Sequence, residues 1–235
     1  MSGTLYLLPT TIGSEGWEKV IPVAVIEQTR ILKHFIVENI RTTRRYLSKI
    51  KVLTPIDQIN FMELNEHTKL EDIDILLKPL LDGYDVGLIS EAGLPAIADP
   101  GAQIVDLANR NGIKVIPLTG PSSIFLTLMA SGLNGQNFAF VGYLPIKPEE
   151  RKKKIKFLES RSRQENQTQI FIEAPYRNLN LFNEILKDCN PDTRLTVGVE
   201  LTTQNEYIST KKIWEWKKST PPDINKKNCV FCLYA

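Results

Sequence analysis

The chain has few histidines, few cysteines and no long apolar run, and each shortage removes a class of protein. His34 and His67 are isolated from each other, and neither has metal-ligand spacing around it, so no metal site is expected. Three cysteines are too few for a disulfide framework. No stretch approaches the ~18 apolar residues of a membrane span, and residues 1–8 do not form a signal peptide. We therefore expect a cytoplasmic protein that does not enter a membrane.

Two of the cysteines form a C-x-x-C pattern, which invites a metal or thiol redox interpretation. Cys229 and Cys232 belong to the apolar stretch 228–234, which predicts a strand. Residues three positions apart on a strand face opposite sides of the sheet. The pattern therefore favours two core side chains, with a zinc or redox site as the alternative.

The chain also has no large excess of positive or negative residues, because 29 Lys and Arg residues against 27 Asp and Glu residues give a net charge of +2. The whole-chain charge does not mark a nucleic-acid binder, so local clusters must carry that argument. Residues 147–163 hold eight basic and three acidic side chains, and Ile155, Phe157 and Leu158 add an apolar stripe. This pattern predicts an amphipathic surface helix, whose basic face either is solvated or contacts phosphates.

A second basic set, Arg41, Arg44 and Arg45, follows the dipeptide Glu38-Asn39. Its spacing places it on a helix after the second predicted strand. These two basic clusters are the features that an RNA-binding hypothesis requires.

Strands and helices alternate through the first half of the chain, which predicts parallel βαβ units. The predicted strands cover residues 5–8, 34–38, 59–64, 84–89 and 114–118. A helix over 68–81 is expected to begin with a capping box at Thr68 and Glu71 and to end at Gly83. The first strand is followed by Pro-Thr-Thr-Ile-Gly and not by G-x-G-x-x-G, so a Rossmann dinucleotide site is disfavoured.

The second half has strands with fewer helices between them, which favours a mixed sheet. Its predicted strands cover residues 138–143, 168–173, 194–201, 206–210 and 228–234. The expected architecture is thus two α/β domains, residues 1–118 with a mostly parallel sheet and residues 119–235 with a mixed sheet.

Two loops rich in small residues follow successive predicted strands of the first half. Residues 90–101 read SEAGLPAIADPG, and residues 119–123 read TGPSS. In parallel α/β sheets, ligands bind beyond the carboxyl ends of the strands. Glycine permits close backbone approaches there, while Ser122 and Ser123 offer hydroxyls or cap the helix that follows. The loops predict a ligand site, with tight structural turns as the alternative.

These two loops, together with EAPYR at residues 173–177, resemble the tetrapyrrole methylase superfamily, the class III S-adenosylmethionine-dependent methyltransferases. The likeness is greatest to the branch that methylates a ribose 2′-hydroxyl of small-subunit ribosomal RNA. It implies a tetrapyrrole-methylase-like fold with an interdomain cleft and a homodimer. The apolar Trp214-Glu215-Trp216 stretch also motivates the dimer.

The resemblance also implies site residues. The residues expected to contact S-adenosylmethionine are Ser90, Glu91, Ala92, Gly93, Asp99, Gly120, Pro121, Ser122 and Ser123. The residues expected on the side of the methyl acceptor, as catalytic candidates, are Glu38, Arg41, Glu66 and Arg177, and Asn65, Asp99 and Glu173 are expected near them. Several of these charged residues have a structural ion pair as the alternative role.

Three functions remain open from the sequence. An RNA methyltransferase is favoured because the resembling branch acts on RNA and because two basic clusters are present. A methyltransferase of a tetrapyrrole or another small substrate is the alternative, although the chain lacks the Gly-Ala-Gly-Pro-Gly first loop of those enzymes. A non-catalytic RNA-binding relative is disfavoured by the intact cofactor loops.

Overall fold

The computed structural model describes residues 2–13, 16–64, 68 and 70–235. These residues form two compact units, Met1–Ser122 and Ser123–Ala235. The domain boundary expected between residues 118 and 119 stays a prediction.

The first unit contains five strands and five α-helices among its described residues. The strands are β1 (Thr4–Leu8), β2 (His34–Val37), β3 (Asn60–Glu63), β4 (Val86–Ile89) and β5 (Lys114–Pro117). The helices are α1 (Val23–Ile31), α2 (Ile40–Lys49), α3 (Leu70–Leu76), α4 (Lys78–Leu81) and α5 (Ala102–Arg110). The strands form one parallel sheet in the order β3-β2-β4-β1-β5.

Alternation along the buried strands divides the core of the first unit between the two faces of its sheet. In β2, Phe35 and Val37 pack with α1 and α2, whereas Ile36 packs with α3, α4 and α5. The sheet is therefore covered by helices on both faces, as a parallel sheet requires. The loops at the carboxyl ends of the strands are left to carry the site.

The second unit contains five strands and four α-helices. The strands are β6 (Phe138–Tyr143), β7 (Thr168–Ile172), β8 (Arg194–Val199), β9 (Tyr207–Lys212) and β10 (Cys229–Tyr234). The helices are α6 (Ser123–Ser131), α7 (Pro148–Glu165), α8 (Asn178–Asp188) and α9 (Ile213–Lys218). The sheet order is β6-β7-β10-β8-β9, with β6 and β7 parallel and the other pairs antiparallel. The predicted α/β class, with one parallel and one mixed sheet, is confirmed.

The helix expected over residues 68–81 is instead two helices, α3 and α4, separated at Leu77. Pro79 explains the break, because proline has no N–H to continue the hydrogen bonding and favours the first turn of a new helix. The predicted strands are also one or two residues too long at several ends. For β4 the reason is visible, since the Asp85 carboxylate accepts a hydrogen bond from the Thr4 N–H before the strand begins (2.7 Å).

The C-x-x-C cysteines are core side chains on opposite faces of β10. Cys229 packs in the cluster formed with α7, α8 and α9, whereas Cys232 packs in the cluster formed with α6. Burial raises the pKa of both thiols to about 12, so they carry no nucleophilic thiolate near neutral pH. The interpretation as core packing is confirmed by this placement.

The two tryptophans of α9 differ in their surroundings. Trp216 is buried, and its indole N–H donates a hydrogen bond to the Leu195 carbonyl (2.9 Å). Trp214 is 41% exposed. Only Trp214 remains available for an interface, and the homodimer stays a prediction. No helix in the described part of the chain combines the length and the apolar character needed to cross a membrane.

Candidate functional site

The loops after β1, β4 and β5 contact one another at the carboxyl edge of the first sheet. The Thr10 N–H donates a hydrogen bond to the Gly93 carbonyl (2.9 Å). A Cβ on Gly120 would lie 2.1 Å from the Pro9 Cβ, so a larger residue there would displace the loop after β1. A Cβ on Gly93 would lie 3.0 Å from the Ile12 Cγ2. The glycines thus allow the three loops to meet.

The loop over residues 90–101 holds an unusual backbone. Gly93 and Gly101 have φ angles of +76° and +128°, and Ala96 and Ala98 also lie in the left-handed region, with φ angles of 64° and 63°. An L-residue in that region is strained by roughly 1 kcal/mol or more. Such strain persists only where the surroundings impose it, and it is concentrated at functional sites. The conformation of this loop supports the ligand site that its sequence predicts.

Three carboxylates lie around this loop. The Glu38 Oε2 accepts a hydrogen bond from the Glu91 N–H (2.9 Å), and the Glu91 Oε1 accepts one from the Thr42 hydroxyl (3.3 Å). Burial, and then the negative charges of Glu38 and Glu91, raise the pKa of Asp99 to about 6. None of the three carboxylates forms an ion pair with a described residue. This edge of the sheet therefore brings three carboxylates together.

The Ser90 side chain lies at the start of the same loop and is buried, with 3% of the residue exposed. Its hydroxyl lies close enough to Asp99 to lower the Asp99 pKa. Even so, the Ser90 Oγ makes no hydrogen bond of normal length and angle to a described residue. A buried polar atom without a partner is costly. The Ser90 hydroxyl thus lies beside Asp99 and keeps hydrogen-bonding capacity for a ligand.

A cavity of about 180 Å³ lies beside Ser90, between this loop and α2. Its walls come from the ends of β1 and β4, from α2 and from the turn that contains Trp17. The lining residues are Thr10, Thr11, Trp17, Thr42, Thr43, Arg45, Tyr46, Lys49, Ile89, Ser90 and Glu91. Burial raises the pKa of Tyr46 to about 12, so its hydroxyl stays protonated, and it donates a long hydrogen bond to the Pro9 carbonyl (3.4 Å).

Sequence reasoning did not identify most of the α2 residues that line this cavity. Thr42, Tyr46 and Lys49 recur at intervals of four and three residues, which places them on one face of a helix. That periodicity was available in the sequence. The periodicity does not show which part of the chain packs against that face. The partner is the loop after β4, which lies more than 40 residues away in the sequence.

The structure brings many of the predicted site residues to one edge of the first unit. Glu38 follows β2, and the residues from Ser90 to Asp99 follow β4, with Ala92 exposed. Gly120, Pro121 and Ser122 follow β5, with Pro121 and Ser122 buried. Arg41 lies in the first turn of α2, which the Asn39 side chain caps by accepting from the Arg41 N–H (2.9 Å). Their role in binding stays a prediction.

The remaining predicted residues belong to the second unit or lie outside the described residues. Ser123 is the first residue of α6 in the second unit. Asn65, Glu66 and His67 lie outside the described residues. Arg177 belongs to the second unit, in a turn that precedes α8.

Arg177 forms an ion pair within the EAPYR motif. Its guanidinium donates to the Oε1 of Glu173, which is buried, and it also lies over the exposed Tyr176 ring at 5.4 Å. The Ala174 N–H donates to the same oxygen (2.7 Å). The Glu173 Oε2 is buried and has no partner among the described residues. This geometry gives Arg177 the structural role that the sequence left as its alternative, without testing the catalytic one.

The basic helix α7 differs from its prediction at two residues. Arg151 is buried, and its guanidinium donates to both carboxylate oxygens of Glu184 (2.5 and 2.6 Å). It shares the buried face with Ile155 and Leu158, because these residues follow at helical spacing. Phe157, expected in the apolar stripe, is 54% exposed. Arg151 therefore does not belong to the exposed basic cluster.

Comparison with known proteins agrees with this architecture. A family model described as Tetrapyrrole (Corrin/Porphyrin) Methylases matches residues 23–215. The ribosomal RNA small subunit methyltransferase I of Vibrio cholerae serotype O1 is 31% identical over 95% of this chain and 73% of its own length. The protein of the same name from Synechocystis sp. is 33% identical over 88% of this chain and 70% of its own length.

Solved structures show the same fold at low sequence identity. The methyltransferase CobJ is 14% identical, with a TM-score of 0.64 over 99% of this chain and 94% of that one. The uroporphyrin-III C-methyltransferase of Thermus thermophilus, complexed with S-adenosylhomocysteine, is also 14% identical, with a TM-score of 0.57 over 99% and 97% of the two chains. The family model and the named relatives define a methyltransferase that depends on S-adenosylmethionine. The chain belongs to the tetrapyrrole methylase family.

Proposed function

We propose that the enzyme methylates a ribose 2′-hydroxyl of small-subunit ribosomal RNA. The observation that carries the proposal is the row of exposed cations Arg41, Arg44, Arg45 and Lys49 along α2. None of them forms an ion pair with a described residue, so their charge is available to phosphates. The helix begins beside the loop over residues 90–101, since Thr42 bonds to Glu91. The names of the relatives agree with an RNA substrate.

The loops that meet at the edge of the sheet fit the cofactor. Ser90, Glu91, Ala92, Gly93, Asp99 and the turn from Gly120 to Ser123 are the residues that we expect to hold it. The unpartnered Ser90 hydroxyl and the side-chain-free glycines supply hydrogen-bonding and close-approach positions for a polar ligand. The three nearby carboxylates suit a ligand that carries positive charge. S-adenosylmethionine, when bound, supplies a methyl group already activated by its sulfonium.

The protein must align the acceptor hydroxyl with that methyl group and take up the hydroxyl proton. Asp99 is suited to take up a proton, because its pKa of about 6 is closer to neutral pH than that of an ordinary carboxyl group. Glu38 holds the Glu91 backbone through its hydrogen bond and so positions the loop. Arg41 has an exposed guanidinium at the same edge and is a candidate for contact with RNA. Glu66 and Arg177 stay catalytic candidates from the resemblance alone.

The cellular setting and the assembly follow from this function as further proposals. An enzyme that modifies ribosomal RNA works in the cytoplasm, where it has access to that RNA. We also propose a homodimer, on the resemblance and on the exposed Trp214. Light scattering that reports 26.7 kDa at high protein concentration would reject the dimer.

The function is tested by incubating the purified chain with labelled S-adenosylmethionine and small-subunit ribosomal RNA from a strain that lacks the gene. We expect one 2′-O-methylated nucleoside in the digested RNA, detected by mass spectrometry. A parallel reaction contains uroporphyrinogen III and no RNA. Methyl transfer to the tetrapyrrole and none to RNA would replace the proposal with its small-substrate alternative.

A further inference from the structure

The cavity beside Ser90 lies on the α2 side of the loop over residues 90–101. The loop after β1 also borders the cavity, since Thr10 and Thr11 line it and the Thr10 N–H donates a hydrogen bond to the Gly93 carbonyl. Ser90 and Glu91 line the cavity and are also the first residues of the loop expected to hold the cofactor. A ligand in the cavity would therefore lie next to a cofactor held by the glycine loops.

The lining of the cavity changes along α2. At the amino end, the Glu91 carboxylate and the hydroxyls of Ser90 and Thr42 can accept or donate hydrogen bonds to a sugar hydroxyl. Towards the carboxyl end lie Arg45 and Lys49, which are exposed cations without an ion pair to a described residue. The helix rises ~10 Å from Thr42 to Lys49. The chemistry suits a ligand with hydroxyls at one end and negative charge at the other.

The volume of about 180 Å³ restricts the ligand further. Pockets that enclose a whole drug-sized ligand are roughly 300–1,000 Å³. The cavity therefore encloses only part of a ligand of that size. Trp17 lies in its wall, packed against the core of the first unit, and brings an aromatic ring to the cavity, a side chain of the kind that binds nucleobases.

We propose that this cavity is the acceptor subsite of the enzyme and binds one nucleotide of a single-stranded RNA segment. Arg45 and Lys49 contact the phosphate, and Ser90 and Glu91 contact the ribose beside the cofactor loop. The proposal rests on the proposed RNA substrate and adds where the RNA binds. The Ser90 hydroxyl lies both in the cavity wall and at the start of the cofactor loop, so it can hydrogen-bond to either ligand in this arrangement.

The test compares two double variants of equal charge. Arg45→Gln with Lys49→Gln removes the cavity cations, and Lys33→Gln with Lys114→Gln removes two exposed lysines at the amino ends of β2 and β5, on the opposite edge of the same sheet. Binding of a single-stranded ribosomal RNA fragment is measured by fluorescence anisotropy across a salt series. Cofactor affinity is measured by calorimetry in each protein.

We expect the cavity variant to bind RNA at least tenfold more weakly than the parent. The magnitude of the slope of log affinity against log salt should decrease by about 1.4, since each of two phosphate contacts on a single strand contributes ~0.7. Cofactor affinity should stay within twofold, and the control variant should bind RNA like the parent. Equal RNA binding by the cavity variant and the parent would reject the subsite while leaving the RNA function intact. A parent that binds no RNA but methylates a tetrapyrrole would reject both.

Discussion

In the second unit, Arg151 is buried against Glu184, whereas in the first unit Arg41, Arg44 and Arg45 lie exposed on α2 without an ion pair to a described residue. Both helices are rich in basic residues. In α7, Lys152 lies 3.8 Å from Asp188 and Lys156 lies 3.9 Å from Glu159, so further charges are partly compensated. The number of basic residues in a segment therefore does not measure the charge that it can offer to a partner.

The difference has a physical cause. A guanidinium taken out of water loses solvation that only a well-placed carboxylate and further acceptors can replace. Arg151 has both, because it donates to Glu184 and to the carbonyls of Pro145 and Ile146. The arginines of α2 remain hydrated, so they keep their charge for a ligand. The Arg151–Glu184 pair stabilises the second unit, whereas the cations of α2, which pair with no described residue, make the edge of the first unit suitable for binding.

The largest expected effect comes from breaking the buried pair. Arg151→Met removes a side chain that is 4% exposed and leaves the Glu184 carboxylate without its main partner. Loss of one member of such a pair destabilises a protein by about 3 kcal/mol. We expect urea unfolding with a lower midpoint and an unchanged slope.

The control for this prediction is Lys153→Met on the exposed face of the same helix. A surface substitution of this kind changes stability by about 0.5 kcal/mol or less. If the two variants unfold at the same urea concentration, Arg151 is not a stabilising residue and the contrast between the helices disappears.

A smaller effect is expected on RNA binding. Arg41→Gln with Arg44→Gln removes from α2 two charges that pair with no described residue, and Arg44 lies over the Phe61 ring at 5.6 Å. Lys153→Gln with Lys154→Gln removes two from α7, where Lys154 lies over the Phe157 ring at 5.1 Å. Each pair, if it contacts phosphates, should lower the salt slope by about 1.4. We expect the full decrease for the α2 variant and less for the α7 variant. Equal decreases would show that both helices contact RNA, as the sequence alone suggests.

The order of strands and helices could be predicted because the strands are short apolar runs and the turns carry glycine, proline or asparagine. The end of α5 shows this well, since Asn111 and Gly112 follow its last residue, Arg110, and Gly112 has a φ of +64°. The sequence also identified the loop over residues 90–101. Its density of small residues is a local property, so it is visible without the fold.

What could not be predicted depends on distant partners. Glu184 is 33 residues from Arg151, and no local pattern shows which of several basic residues it meets. The spacing of Arg151 with Ile155 and Leu158 places all three residues on one face of the helix. Because arginine is rarely buried, the sequence favours counting Arg151 with the exposed basic residues. The cavity beside Ser90 likewise needs three separate segments, so its walls are a property of the fold.

The smallest expected effect is on the stability contributed by Asp99, a half-buried carboxylate of the first unit. The pKa of Asp99 is about 6 in the folded protein and near 3.8 in the unfolded chain. Between these values the folded state keeps a proton that the unfolded state has lost, so the free energy of unfolding decreases as pH rises from 4 to 6 and stays lower above pH 6.

Asp99→Asn removes this decrease. Because Asp99 is only half-buried, we expect a gain on the order of 1 kcal/mol at pH 7 and none at pH 4. Urea unfolding at the two pH values measures it. A gain of the same size at both would mean that hydrogen bonding and not ionisation of Asp99 is responsible. Methylation by the variant should also lose any rise in rate near pH 6, if Asp99 takes up the proton of the acceptor hydroxyl.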